Sequence, residues 1–212
     1  MTGRDQIISD GFEAIDRVCD NYVLLRGFDE VACQSHGGQD IDMLISRKDL
    51  DAVTSALASN KFNISVDPAP YRYLYGAKPR VHCRHADFDI MFDLHTSLFY
   101  NSIGHDNVCV NVDEAVLDSM FNNRVKTDNC WKYEPSKEDY IVHLCCRVIF
   151  DKRGCDEKYT SWIQEAYKDC DEKKVRDLCT LIFYSATDRI VECISNNQSQ
   201  HLFKTYITSS QY

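Results

Sequence analysis

Apolar residues recur along this chain with two different periods, and the changes of period mark the elements. From Arg4 to Asp20, residues Ile7, Ile8, Phe12, Ile15, Val18 and Cys19 fall close to a helical stripe, which predicts an amphipathic helix. Tyr22 to Arg26 is a short apolar run that reads as a buried strand ended by Gly27. A polar stretch with Ser35, Gly37 and Gly38 follows as a loop, and Gln39 to Ile45 alternates as a second strand. Ser46 to Asp49 has the logic of a capping box with Asp in place of Glu. It opens a helix that carries Leu50, Val53 and Leu57 on one face and ends at Asn60. Lys61 to Val66 reads as a strand, stopped by the turn Asp67-Pro-Ala-Pro70. Tyr71 to Tyr75, Val81 to His85 and Phe88 to Leu94 read as further strands.

Beyond this point helical spacing takes over. Val108 to Val112 reads as a short strand, and Asp113 as the N-cap of a helix to Asn122. Pro135-Ser-Lys-Glu-Asp139 signals a helix start, with Tyr140, Ile141, Leu144, Cys145 and Val148 at helical spacing and Gly154 as the C-cap. A helix at Glu157–Lys168 turns Tyr159, Trp162, Ile163 and Ala166 inward, and another runs from Glu172 through Ile194. The order predicts an α+β protein. A small mixed sheet flanked by helices occupies residues 1–130, and a C-terminal helical bundle occupies residues 131–212.

Composition narrows the class. The 212 residues are 44% apolar, enough for a folded core. No apolar run approaches the roughly 18 residues of a membrane span, and the amino terminus lacks a signal-peptide centre, so a cytoplasmic protein is expected. The formal charge of −9 argues against a nucleic-acid or anionic-membrane partner. A small anionic substrate remains compatible, with Arg26, Lys78, Arg80 and Arg84 as local cations. The eleven cysteines are irregularly spaced and include no Cys-x-x-Cys pair, so they read as buried small hydrophobes. His82, Cys83 and His85 form a Cys/His cluster without an evident fourth zinc ligand.

The candidate chemistry lies in carboxylates on strands. Asp40 and Asp42 sit at alternate positions of one strand, so both leave the same face. On the later strand Phe88, Ile90, Phe92 and Leu94 take one face, while Asp87, Asp89, Met91, Asp93 and His95 take the other. Asp-x-Asp pairs are common as solvated strand ends. Two acids on one rigid strand and a third on a neighbour are also what divalent-cation phosphoryl chemistry requires, because it needs several hard oxygen ligands. Asp93 is the third acid of that reading and Asp89 its fallback. His143, on a helix expected to be packed, reads as a core or boundary histidine. No Gly-x-Ser-x-Gly or recognisable cysteine nucleophile supports a hydrolase.

Leu24-Leu-Arg-Gly27, Asp40-Ile-Asp-Met-Leu-Ile45 and Phe92-Asp-Leu-His95 resemble the nucleotidyltransferase superfamily, especially the branch described as uncharacterised nucleotidyltransferases of bacterial genomes. The helix from Pro135 to Cys145 resembles that family's helical half. The resemblance covers residues 20–150. It implies that Asp40, Asp42 and Asp93 hold Mg²⁺ or Mn²⁺, and that Gly27 and Arg26 lie against a nucleoside triphosphate with His95 beside the third acid. A nucleoside monophosphate would pass to a hydroxyl of a small acceptor, such as a sugar or sugar phosphate. Phe28 follows Gly27 where many members carry Gly or Ser, and His36-Gly-Gly-Gln39 stands where the branch often carries a basic residue. Two alternatives remain open: a weak or inactive module that binds or regulates, and a toxin-type enzyme modifying protein or tRNA. The sequence indicates no oligomeric state.

Overall fold

The computed structural model describes residues 3–28, 39–66, 80–104 and 108–209. The expected strand at Tyr71–Tyr75, the Asp67–Pro70 turn, Lys78 and the segment from Ser35 to Gly38 lie outside the described residues. The chain is a mixed α+β protein whose contacts divide into two compact units. One comprises the described residues up to Leu98 together with Arg124–Glu134; the other comprises Phe99–Asn123 and everything from Pro135 onward. The chain therefore passes between units more than once, where the sequence suggests a single boundary at 130.

The first unit begins with α1 (Gly3–Asp16), β1 (Tyr22–Leu24) and β2 (Gln39–Ile45). It continues through α2 (Leu50–Ser59), β3 (Phe62–Val66), β4 (Val81–His85) and β5 (Ile90–His95). These strands form one five-stranded sheet in the order β1-β2-β5-β4-β3. The central pair, β2 with β5, is parallel, and the other pairs are antiparallel. Alternation divides the sheet chemically. Ile41, Met43, Ile45, Ile90, Phe92, Leu94 and Cys83 belong to a buried core that also includes Ile8, Phe12 and Ile15 of α1 and Val53 and Leu57 of α2. The Phe92 ring meets Phe12 at 5.2 Å and Phe62 at 5.4 Å, both edge-on. Tyr22 ties in the returning segment: its hydroxyl donates to Asp16 Oδ1 at 2.8 Å and accepts the Lys132 N–H at 2.8 Å.

Several local expectations are corrected. Ser46 makes no side-chain cap; a 3₁₀ turn at Arg47–Asp49 leads into α2 instead. Phe88 and Asp89 precede β5 and are exposed.

The second unit starts with a ribbon of β6 (Phe99–Asn101) and β7 (Cys109–Asn111), followed by α3 (Glu114–Asn122). A small ribbon in the first unit, β8 (Val125–Lys126) with β9 (Tyr133–Glu134), comes next along the chain. The helices of the second unit then run α4 (Lys137–Cys146), α5 (Glu157–Tyr167), α6 (Glu172–Phe183), α7 (Thr187–Ser195) and α8 (Leu202–Ser209). Short polar residues set their starts: Asp113, Ser136, Asp156 and Asp171 each accept a first-turn N–H. A π-helical turn, Arg147–Lys152, extends α4, and Arg153 rather than Gly154 takes the left-handed conformation that ends it. The single helix expected from Glu172 to Ile194 is broken at Tyr184, which has φ 48° and ψ −119°. No helix among the described residues is long and apolar enough to cross a membrane.

Candidate functional site

The acids gather on the sheet face opposite the α1 and α2 core. Asp42 lies level with Asp93 in the parallel register, and Asp40 level with Met91. Aligned residues of paired strands project to one side, so topology brings the two carboxylates together. His95 is two residues beyond Asp93 on that face, and His82 of β4 is level with Asp93. Asp42, Asp93 and His95 are all buried. Each offers one ligand atom within 4.8 Å of the other two.

Each acid has its own guanidinium. Arg26 Nη2 stands 2.7 Å from Asp42 Oδ2, and Arg80 Nη1 donates to Asp93 Oδ2 at 3.0 Å. His95 Nε2 lies between the acids, 3.5 Å from Asp93 Oδ2 and 3.7 Å from Asp42 Oδ1. His82 Nε2 is 3.7 Å from Asp93 Oδ1, an oxygen that is buried without a hydrogen-bond partner.

These surroundings shift the titration of the three groups. Burial works against the charge on Asp93, but His95 and Arg80 outweigh it and hold the carboxyl below its ordinary value. Burial also disfavours imidazolium at His95, yet the neighbouring Asp42 and Asp93 carboxylates raise its pKa. Asp40 is shifted upward, first by desolvation and then by the charges of Asp42 and Asp93.

The expected trio of Asp40, Asp42 and Asp93 shares a face, but the tightest grouping replaces the exposed Asp40 with His95. Asp89 is not part of it. That side chain sits before β5 and pairs with Arg84 at 2.8 Å on the exposed surface. Gly27, which follows β1 after Leu25 and Arg26, has φ 78°, a left-handed conformation that explains a glycine there. Phe28 packs against the sheet core, which accounts for an aromatic residue at that position.

The zinc reading of His82, Cys83 and His85 fails on alternation. His82 faces Asp93, whereas Cys83 is buried in the core on the opposite face. Among the described residues the cysteines are free, and all but Cys130, Cys155 and Cys170 are buried. Arg80 and His82 as partners of Asp93 escaped sequence reasoning, because they reach it only through the pairing of β4 with β5.

The second unit contains a cavity of about 460 Å³ lined in part by Tyr100, Phe150, Tyr184 and Tyr206, and it shares no residue with the acid cluster. No protein-family model matches this chain, no curated protein matches it, and no solved structure matches it.

The donor set could hold a hard divalent cation: it offers carboxylate oxygens on two rigid strands and a buried carboxylate oxygen with no hydrogen bond. Imidazole is a poorer ligand for Mg²⁺ than carboxylate, so His95 suits hydrogen bonding to the acids.

Proposed function

We propose that this chain is a nucleotidyltransferase that moves a nucleoside monophosphate from a nucleoside triphosphate to a hydroxyl of a small acceptor. The observation that carries this reading is the in-register placement of Asp42 and Asp93 on adjacent parallel strands, with Asp40 two residues earlier on the same face. Asp40, Asp42 and Asp93 would hold Mg²⁺ or Mn²⁺, which supplies charge neutralisation on the phosphates and activation of the attacking oxygen. In the transfer, the acceptor oxygen bonds to the α-phosphorus, the bond from that phosphorus to the pyrophosphate oxygen breaks, and pyrophosphate leaves with the electron pair. The hydroxyl proton passes to a carboxylate. On the family resemblance that carboxylate is Asp93, whose Oδ2 is held by Arg80 at 3.0 Å. Arg26 and Arg80 supply positive charge beside the acids. A sugar or sugar phosphate fits the acceptor role on the family resemblance and the acidic overall charge.

Thermal unfolding with Mg²⁺ or Mn²⁺ and each common nucleoside triphosphate tests the reading, since a ligand of the native state raises stability by mass action. A rise of the melting temperature with metal plus one nucleotide is expected, together with pyrophosphate release once an acceptor is supplied. No shift with any pair would overturn the proposal. The second reading, a nucleotidyltransferase-like module without turnover, is favoured by one observation: both buried acids are neutralised by arginines. It predicts nucleotide binding without pyrophosphate release from any acceptor.

A further inference from the structure

Each arginine occupies one oxygen of a carboxylate that a cation would use. Arg26 is on Asp42 Oδ2 at 2.7 Å and Arg80 is on Asp93 Oδ2 at 3.0 Å, while Asp42 and Asp93 are nearly closed to solvent. Both arginine side chains are about a quarter exposed, 24% for Arg26 and 26% for Arg80, so each reaches water from the edge of the cluster. Buried carboxylates of this kind are tolerable only when paired, because an isolated buried charge is costly. The pairs therefore offset the charge of the acids when no cation is present. A guanidinium and a divalent cation compete for the negative charge of the same carboxylates.

We propose that Arg26 and Arg80 are exchangeable: a divalent cation displaces them from Asp42 and Asp93, and the released guanidiniums become ligands for the polyphosphate of the incoming substrate. This deepens the nucleotidyltransferase reading and rests on it. The charge balance explains why the order matters. Three carboxylates and two guanidiniums leave the face with little net charge, so it attracts a polyphosphate weakly. A divalent cation turns the balance positive and frees two planar donors whose fork geometry suits phosphate oxygens. Phosphate affinity is thereby assigned to these arginines, at a site where Phe28 is packed against the core in place of a small phosphate-holding residue.

Exchange predicts opposite signs for two measurements on one variant, which a merely structural role does not. Mn²⁺ binding is followed by the paramagnetic resonance signal of the free ion. Binding of inorganic tripolyphosphate at a fixed excess of Mn²⁺ is followed by calorimetry. Arg80→Gln and Arg26→Gln are each expected to tighten Mn²⁺ binding by about five-fold or more and to weaken tripolyphosphate binding by about five-fold or more, the lower range of coupling between linked sites. Arg80→Lys keeps a charge beside Asp93 if the glutamine variant fails to fold, and is expected to shift both affinities in the same directions by less. If the variants weaken both ligands together, or change neither, the arginines are fixed supports and the exchange is overturned while the metal site stands. If the wild-type chain binds no Mn²⁺, the nucleotidyltransferase reading fails and the exchange fails with it.

Discussion

Asp42 and Asp93 lie level with each other on the parallel strand pair β2–β5, and His95 Nε2 stands within 3.7 Å of a carboxylate oxygen of each. Parallel pairing fixes both side chains on one face, so their charges are brought together by topology and not by loop flexibility. Asp40 feels the result, because its carboxyl is pushed up by burial and then by Asp42 and Asp93. Asp42→Asn removes one of these charges. The Asp40 pKa is expected to fall toward the ordinary range in this variant, read by carboxyl carbon resonances in a pH titration. The same substitution is expected to abolish the proposed metal-dependent turnover with the fold retained. An unchanged Asp40 titration would show that the acids act independently.

Gly11 in α1 meets the Phe92 ring: a Cβ there would stand 2.7 Å and 2.8 Å from two ring carbons. The ring cannot retreat freely, since it is fully buried between Phe12 and Phe62. Gly11→Ala gains about 1 kcal/mol in helix propensity but overpacks the core, at a cost of about 1–3 kcal/mol. A net loss of about 1 kcal/mol is expected in urea denaturation. A raised midpoint would show that the Phe92 ring yields.

Much of the sheet and one part of the site were legible in the sequence, for a local reason. The alternation of Gln39–Ile45 and Val81–His85 set those strands at their observed bounds, and it placed Asp40 with Asp42 and Asp93 with His95. Asp113 and Ser136 announced their helices because a short polar side chain satisfies the first-turn N–H groups. The strand order was not legible. That β5 inserts between β2 and β4 is a non-local fact, and it alone brings Arg80 and His82 to Asp93. Asp89 looked equivalent to Asp93 by period, yet the strand starts at Ile90 and leaves Asp89 to Arg84. Neither Arg153 nor Tyr184 carries a local signal for the positive φ it adopts.

Tyr184 holds φ 48° and ψ −119° between α6 and α7, a region that glycine occupies without strain, while 74% of the residue is exposed. Such a conformation costs on the order of 1–3 kcal/mol in a residue with a Cβ. Tyr184→Gly relieves it and forfeits little packing, offset in part by the greater freedom of glycine in the unfolded chain. Stabilisation by about 1 kcal/mol is expected for the glycine variant and destabilisation for Tyr184→Val, both measured by thermal unfolding. The reverse order would mean that the tyrosine ring holds the joint.

Glu138 links the start of α4 to the start of α6. Its Oε1 accepts the Asp171 N–H at 2.9 Å, and its Oε2 lies 3.4 Å from Lys174 Nζ. Burial raises the pKa of this carboxyl, but the Asp171 and Glu138 N–H groups, the Ser136 hydroxyl and Lys174 outweigh burial and hold it below the ordinary value. A carboxyl with a depressed folded pKa adds stability that is fully present above its unfolded pKa, about 4.3. That contribution disappears as pH falls through the folded value. Glu138→Gln keeps the shape and removes the charge. The wild-type chain is therefore expected to melt above the variant at pH 7, and the gap should narrow below about pH 4.3. A gap that stays constant from pH 7 to pH 3 would show that hydrogen-bond geometry, and not the charge on Glu138, ties the two helices together.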